Sequence, residues 1–141
     1  MNRSVEQPVV DVEKSSSVED LIISSSTATP YVRAEWQLGK LTMAGESYPD
    51  NAYDLFDQII SWLEKYLKKT SRSLDVELQL SYLNTSSVRG MVEIFDSLQN
   101  AFESGRELSV SWICDRNNVR SVEMGEEFKE DYTFNFVIRI V

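Results

Sequence analysis

The sequence predicts a single α/β domain, ordered ββαβαβαβ, with a mixed sheet of about five strands and helices mainly on one face. Apolar residues alternate with polar ones in each predicted strand, so one sheet face is expected to be buried and the other polar and wet. The intervening segments carry apolar residues at helical spacing. A chain of 141 residues with 42% hydrophobic content can build one core, whereas two domains would each be too small.

The first thirty residues differ in composition from the rest of the chain. They contain five acidic and two basic residues, two Ser triplets and no aromatic residue. Such a segment cannot bury enough apolar surface to offset the entropy of ordering, so we predict a flexible Ser-rich acidic tail over 1–30. Within it, residues 18–23 are apolar enough to dock as a short strand or helix. The folded domain is expected to span 31–141.

The first half of the domain begins with strand alternation over 31–38. A tight turn at Gly39 and Lys40 and continued alternation to residue 43 predict a hairpin. Ser47 has the position of an N-cap and Pro49 lies in the first turn, so a helix is expected from about 48 to 69. Alternation over 74–82 then predicts a second half-buried strand, with Tyr82 on its buried face.

In the second half, a helix with one apolar face follows residue 87 and stops at Gly105, a residue typical of helix C-termini. Residues 108–114 alternate as a strand, and residues 115–118 form a polar loop. A short acidic helix is expected over 119–130 and a last strand over 134–140. Right-handed crossovers through the helices would make much of the sheet parallel.

Composition and charge exclude several functions. The chain has no histidine, the commonest general base and zinc ligand, and we predict no cofactor and no metal site. A net charge of −9 would repel nucleic acid. We expect a cytoplasmic protein without direct membrane insertion, because we find neither a long apolar run nor a secretory signal. The single cysteine, Cys114, is expected to be a core residue.

One turn carries the strongest chemical signal. Asn84, Thr85, Ser86 and Ser87 lie where a strand ends and a helix begins, which is the edge where open α/β sheets bind ligands. The helix dipole and unpaired backbone N–H groups favour negative charge there. Three adjacent hydroxyls exceed the needs of one N-cap, so one of them could accept a phosphate. An ordinary Ser/Thr-rich cap would also explain these residues.

The order of elements around this turn resembles the STAS domain, in which a Ser or Thr at this position is phosphorylated. Three segments more closely resemble the SiaC family of regulatory phosphoproteins. They are Glu46-Ser47-Tyr48-Pro49-Asp50-Asn51-Ala52-Tyr53, Tyr82-Leu83-Asn84-Thr85-Ser86-Ser87 and Trp112-Ile113-Cys114-Asp115-Arg116-Asn117. Their order and spacing agree, and the resemblance covers about 31–141.

The resemblance implies a non-enzymatic regulator switched by phosphorylation. A partner kinase would phosphorylate Thr85, with Ser86 and Ser87 as alternatives, and a partner metal-dependent Ser/Thr phosphatase would reverse it. The unphosphorylated form would bind and activate a diguanylate cyclase, which promotes biofilm formation through cyclic di-GMP. A STAS-type anti-sigma-factor antagonist in a partner-switching pathway is the alternative, although its turn has an aspartate and a glycine where this chain has Asn84 and Ser87.

Two further groups are candidates for partner binding. Tyr48, Pro49, Asn51 and Tyr53 precede or begin the first helix, where a hydrophobic staple would explain the aromatic residues equally well. Asp115, Arg116 and Asn117 follow a strand, and a solvated turn is the simpler account of them. A small enzyme using Asp and Glu is a third class of function, but no Gly-rich phosphate loop or isolated carboxylate pair supports it.

Overall fold

Six strands and three helices form in the part of the chain that the computed structural model describes, residues 19–141. In chain order they are β1 Leu21–Ile23, β2 Tyr31–Glu35, β3 Lys40–Ser47, α1 Ala52–Lys69, β4 Leu74–Leu83, α2 Thr85–Glu103, β5 Leu108–Cys114, α3 Val119–Glu130 and β6 Asn135–Ile140.

The strands lie in the sheet in the same order as in the sequence. The pairs β1–β2 and β2–β3 are antiparallel, whereas β3–β4, β4–β5 and β5–β6 are parallel. Each crossover through a helix therefore advances one position in the same direction, and right-handed crossovers then place every helix on one face. Buried residues of the three helices and of the inward strand positions form one core cluster. The predicted fold class is confirmed, with six strands instead of about five.

Aromatic residues fill both halves of this core. Trp36 packs edge-on against Trp62 and Tyr66, with ring centroids 6.0 and 5.3 Å apart. At the other end of the sheet, the rings of Phe95 and Phe128 pack edge to face, with centroids 4.9 Å apart. Cys114 is buried among these strands, as predicted, and burial raises the pKa of its thiol.

The structure corrects the predicted tail boundary for residues 19–30. Leu21 and Ile23 are half-buried, and β1 pairs with β2 as the edge strand. The Trp62 indole N–H donates to the Glu19 carbonyl at 2.6 Å, and the Trp36 amide donates to Asp20 Oδ1 at 2.9 Å. Of the two alternatives considered for the apolar residues 18–23, a short strand is the one that forms, over Leu21–Ile23, and its partners lie elsewhere in the chain. Residues 1–18 of the predicted tail lie outside the described residues.

The start of the first helix also differs from the prediction. β3 continues to Ser47, and α1 begins at Ala52 with Asn51 as its N-cap. The Asn51 side-chain oxygen accepts from the Asp54 amide at 3.2 Å. Ser47 does not cap the helix, because it is fully buried and its hydroxyl contacts the Ser87 hydroxyl at 2.7 Å.

Tyr82 does not lie on the buried face of its strand. Leu80 pairs with Gly45, but Tyr82 pairs with Glu46, so Ser81 is an extra residue in β4. This β-bulge reverses the alternation. Tyr82 is 52% exposed and Leu83 takes the buried position, at 5%.

Candidate partner-binding and phosphorylation site

The turn between β4 and α2 is a well-formed helix cap. Asn84 has extended backbone angles, and its side-chain oxygen accepts from the Ser87 amide at 2.9 Å. The Asn84 carbonyl accepts the first helical bond, from the Val88 amide at 2.9 Å. Asn84 therefore fixes the start of the helix and places Thr85 as its first residue.

The three hydroxyls of this turn differ in accessibility. Ser87 is fully buried against Ser47, so an enzyme could not reach it without local unfolding. Ser86 is half-buried and donates to Asn84 Oδ1 at 3.3 Å. Thr85 is exposed, and within residues 19–141 its hydroxyl has no hydrogen bond. Thr85 is therefore the hydroxyl of this turn that is most open to a modifying enzyme.

Two contacts join this turn to the end of β3. The Ser47 and Ser87 hydroxyls meet at 2.7 Å in the core, and the Asn84 amide donates to the Ser47 carbonyl at 3.0 Å. The loop that follows Ser47 carries Tyr48 and Pro49, which are exposed and half-buried respectively. The structure thus brings the first and second predicted segments together at one edge of the sheet.

A groove of about 630 Å³ between α1 and α2 continues from this edge. Asn51 and Tyr53 line it from α1, and Ser86 and Arg89 line it from α2. Tyr53 is 74% exposed. Asn51 is engaged as the cap of α1, and its amide also donates to Asp54 Oδ2 at 2.9 Å. Of these two predicted contact residues, Tyr53 has the side chain that is more available to a partner.

The third predicted segment lies at the same edge of the sheet, and within residues 19–141 it forms no hydrogen bond with Thr85. Asp115, Arg116 and Asn117 are all exposed. The Asn117 amide donates to Asp115 Oδ1 at 2.8 Å. This hydrogen bond is typical of a solvated turn. The segment is joined to the site indirectly, because the Asn118 side-chain amide donates to the Ser81 carbonyl at 3.0 Å.

One cation lies close to this turn along α2. The first turn of α2 contains no acidic residue. Arg89 follows Thr85 by four residues, so both lie on the same side of the helix. Arg89 is exposed, and its guanidinium forms no salt bridge with any residue in 19–141. The first turn of α2 can therefore accept negative charge near an unpaired arginine.

No cluster of three or more potential metal-binding side chains occurs in residues 19–141. None of the helices described is long and apolar enough to cross a bilayer.

The sequence profile of SiaC family regulatory phosphoproteins matches residues 23–141. The chain belongs to the SiaC family. It is 45% identical over 122 residues to an uncharacterized protein of Pseudomonas aeruginosa, covering 86% of this chain and 97% of that relative. The family match begins at Ile23, the last residue of β1.

Solved structures of SiaC from P. aeruginosa have the same fold. The crystal structure of apo-SiaC is 46% identical, with a TM-score of 0.82, and the match covers 85% of this chain and 98% of SiaC. A second structure shows the diguanylate cyclase SiaD in complex with its activator SiaC. It matches with 45% identity and a TM-score of 0.84 over 86% of this chain and 100% of the matched chain. The family predicted from the three segments is confirmed.

Two exposed residues close to this turn were not predicted from the sequence. Tyr82 was assigned to the core, and the bulge that exposes it leaves no mark in the alternation. Arg89 could have been found from its spacing, because a cation four residues after a modifiable hydroxyl on a helix is a readable pattern.

Proposed function

We propose that this chain is a non-enzymatic, phosphorylation-switched regulator whose unphosphorylated form binds and activates a diguanylate cyclase. The observation that carries the proposal is the contrast among the three hydroxyls, of which Thr85 is exposed and Ser87 is buried. Family membership supports the regulatory role. The complex of the relative SiaC with the cyclase SiaD supports the class of partner.

A partner kinase would transfer a phosphoryl group to the Thr85 hydroxyl oxygen, and a metal-dependent phosphatase would hydrolyse the resulting ester. The modification adds nearly two negative charges. In the free protein, the N-terminus of α2 and water can stabilise this dianion. A partner packed over the turn would have to bury it, which is costly without a matching cation. Because about 1.4 kcal/mol changes affinity tenfold, one phosphate can release a micromolar partner.

The first test locates the modification. Peptide mass spectrometry of the protein from its native cell should place phosphate on Thr85, and Thr85→Ala should abolish it. Ser86→Ala is the matched control, since it removes the adjacent hydroxyl and should leave incorporation unchanged. Equal incorporation in Thr85→Ala and the unsubstituted chain would move the assignment to Ser86.

The second test measures the switch. Calorimetric titration with SiaD of P. aeruginosa as the probe should show binding of the unphosphorylated chain and of Thr85→Ala, and loss of binding after phosphorylation. Thr85→Glu should weaken binding only partly, because a carboxylate has one charge and fewer acceptor oxygens. Circular dichroism of each form separates local repulsion from unfolding. Equal affinities of the two forms would contradict the switch.

A further inference from the structure

The outward orientation of Tyr82 is imposed by the bulge in β4. In regular alternation, Tyr82 would join Leu78 and Leu80 on the helix-covered face. Ser81 is instead unpaired with β3, so Tyr82 points to the opposite face and is 52% exposed. Exposing half of a large aromatic side chain forgoes the stability that its burial would supply.

Two side chains at the start of α3 hold this bulge in place. The Asn118 side-chain amide donates to the Ser81 carbonyl at 3.0 Å. The Ser121 hydroxyl donates to the Leu80 carbonyl at the same distance, 3.0 Å. On β3, Gly45 has a φ of 120°, which residues with a side chain rarely adopt. Bulges of this kind re-aim side chains next to functional sites.

Tyr82 forms an exposed aromatic pair with Tyr48. Their ring centroids are 5.9 Å apart in an edge-to-face arrangement, and Tyr48 is 37% exposed. Within residues 19–141 neither hydroxyl has a hydrogen-bond partner. The pair thus presents apolar ring surface together with two free hydroxyls, and tyrosine is enriched among residues that dominate binding energy.

The segment that leads from this pair into α2, residues 83–87, is uncharged. Asn84 and Thr85 follow Tyr82 after one buried residue, Leu83, and the first turn of α2 has no acidic residue. Glu46, opposite Tyr82 in the sheet, is exposed and can remain in water at the rim of a contact. Exposed rings beside an uncharged segment complement an apolar protein surface, with Glu46 left at the rim of the contact.

We infer that Tyr48 and Tyr82 form the aromatic anchor that the protein partner buries in an apolar pocket, beside unphosphorylated Thr85. This inference rests on the proposed function and adds the chemistry of the partner surface. It also explains why phosphorylation would release the partner, because a dianion on Thr85, three residues after Tyr82, would enter the same apolar contact. Uncharged apolar surroundings are the environment in which a buried dianion is least tolerated.

The test is calorimetric titration of the full chain with SiaD of P. aeruginosa. Tyr82→Ala should weaken binding by about tenfold or more, the range of an interface hot spot. Tyr82→Phe keeps the ring and should remain within about threefold of the unsubstituted chain. Phe102→Ala is the matched control, because Phe102 is a comparably exposed aromatic at the opposite end of α2 and should bind unchanged.

The outcomes separate the inference from the proposed function. If Tyr82→Ala binds like the unsubstituted chain while phosphorylation still abolishes binding, the anchor is overturned and the switch stands. If the unsubstituted chain does not bind SiaD, both are overturned for this partner. A coincident loss in Tyr48→Ala and Tyr82→Ala, with the double variant no weaker than either, supports a single paired anchor. Thermal melts of each variant confirm that the fold is retained.

Discussion

An exposed threonine and an exposed arginine lie one helical turn apart at the start of α2. Thr85 and Arg89 have the spacing at which opposite charges on a helix surface interact. A phosphate on Thr85 would place a dianion within reach of this guanidinium. At the residue scale, Arg89 is therefore expected to stabilise the dianionic form of the phosphorylated free protein.

This expectation can be measured by ³¹P NMR. The second pKa of a phosphothreonine is ordinarily about 6, and a nearby guanidinium lowers it. Arg89→Gln should raise that pKa by about 0.2 to 0.7, the equivalent of an exposed ion pair. Lys68→Gln, which removes one positive charge near the C-terminal end of α1, is the control. An identical titration of Arg89→Gln and the unsubstituted phosphoprotein would show that the two groups do not interact.

The helix layer depends on a side chain that comes from outside it. Arg106 follows α2 and donates to the carbonyls of Leu67 and Thr70 at 2.7 Å and of Arg72 at 3.1 Å. Carbonyls in the last turn of a helix have no intrahelical partner, and a cation there also offsets the helix dipole. At the element scale, Arg106 is a tether between the C-terminal end of α1 and the α2–β5 connection.

Removal of this tether should lower stability without altering the site at the other edge. Arg106→Ala is expected to reduce the free energy of unfolding by about 1 to 3 kcal/mol, through loss of charged hydrogen bonds. Chemical denaturation with Arg120→Ala as an exposed-arginine control measures the difference. If Arg106→Ala lowers the free energy of unfolding no more than the control does, water can replace the hydrogen bonds of Arg106 without loss of stability.

Sequential strand order determines where the functional residues meet. Because β3, β4 and β5 are parallel, the loops that follow them emerge at the same edge of the sheet. The segments 48–53, 84–87 and 115–117 are therefore neighbours at this edge, although long stretches of chain separate them. The parallel arrangement of neighbouring strands is therefore what brings these three segments together.

Topology also predicts the effect of shortening the chain. A chain that starts at residue 31 lacks β1 and both tryptophan hydrogen bonds, whereas a chain that starts at residue 19 keeps them. We expect the shorter chain to lose about 2 to 4 kcal/mol of unfolding free energy, from lost hydrogen bonds and apolar burial. Urea unfolding of the two chains measures the contribution of residues 19–30 to the free energy of unfolding. Equal midpoints and slopes would restore the boundary at residue 30.

Local periodicity was enough to predict that the helices and central strands exist, because it reports which side of an element is buried. It also located the hydroxyl turn, since strand alternation stops there and helical spacing begins. Three features were decided only by the tertiary structure. They are the pairing of β1 with β2, the bulge that exposes Tyr82, and the burial of Ser87 against Ser47. Each depends on a contact between residues distant in the chain, so neither composition nor periodicity could reveal it.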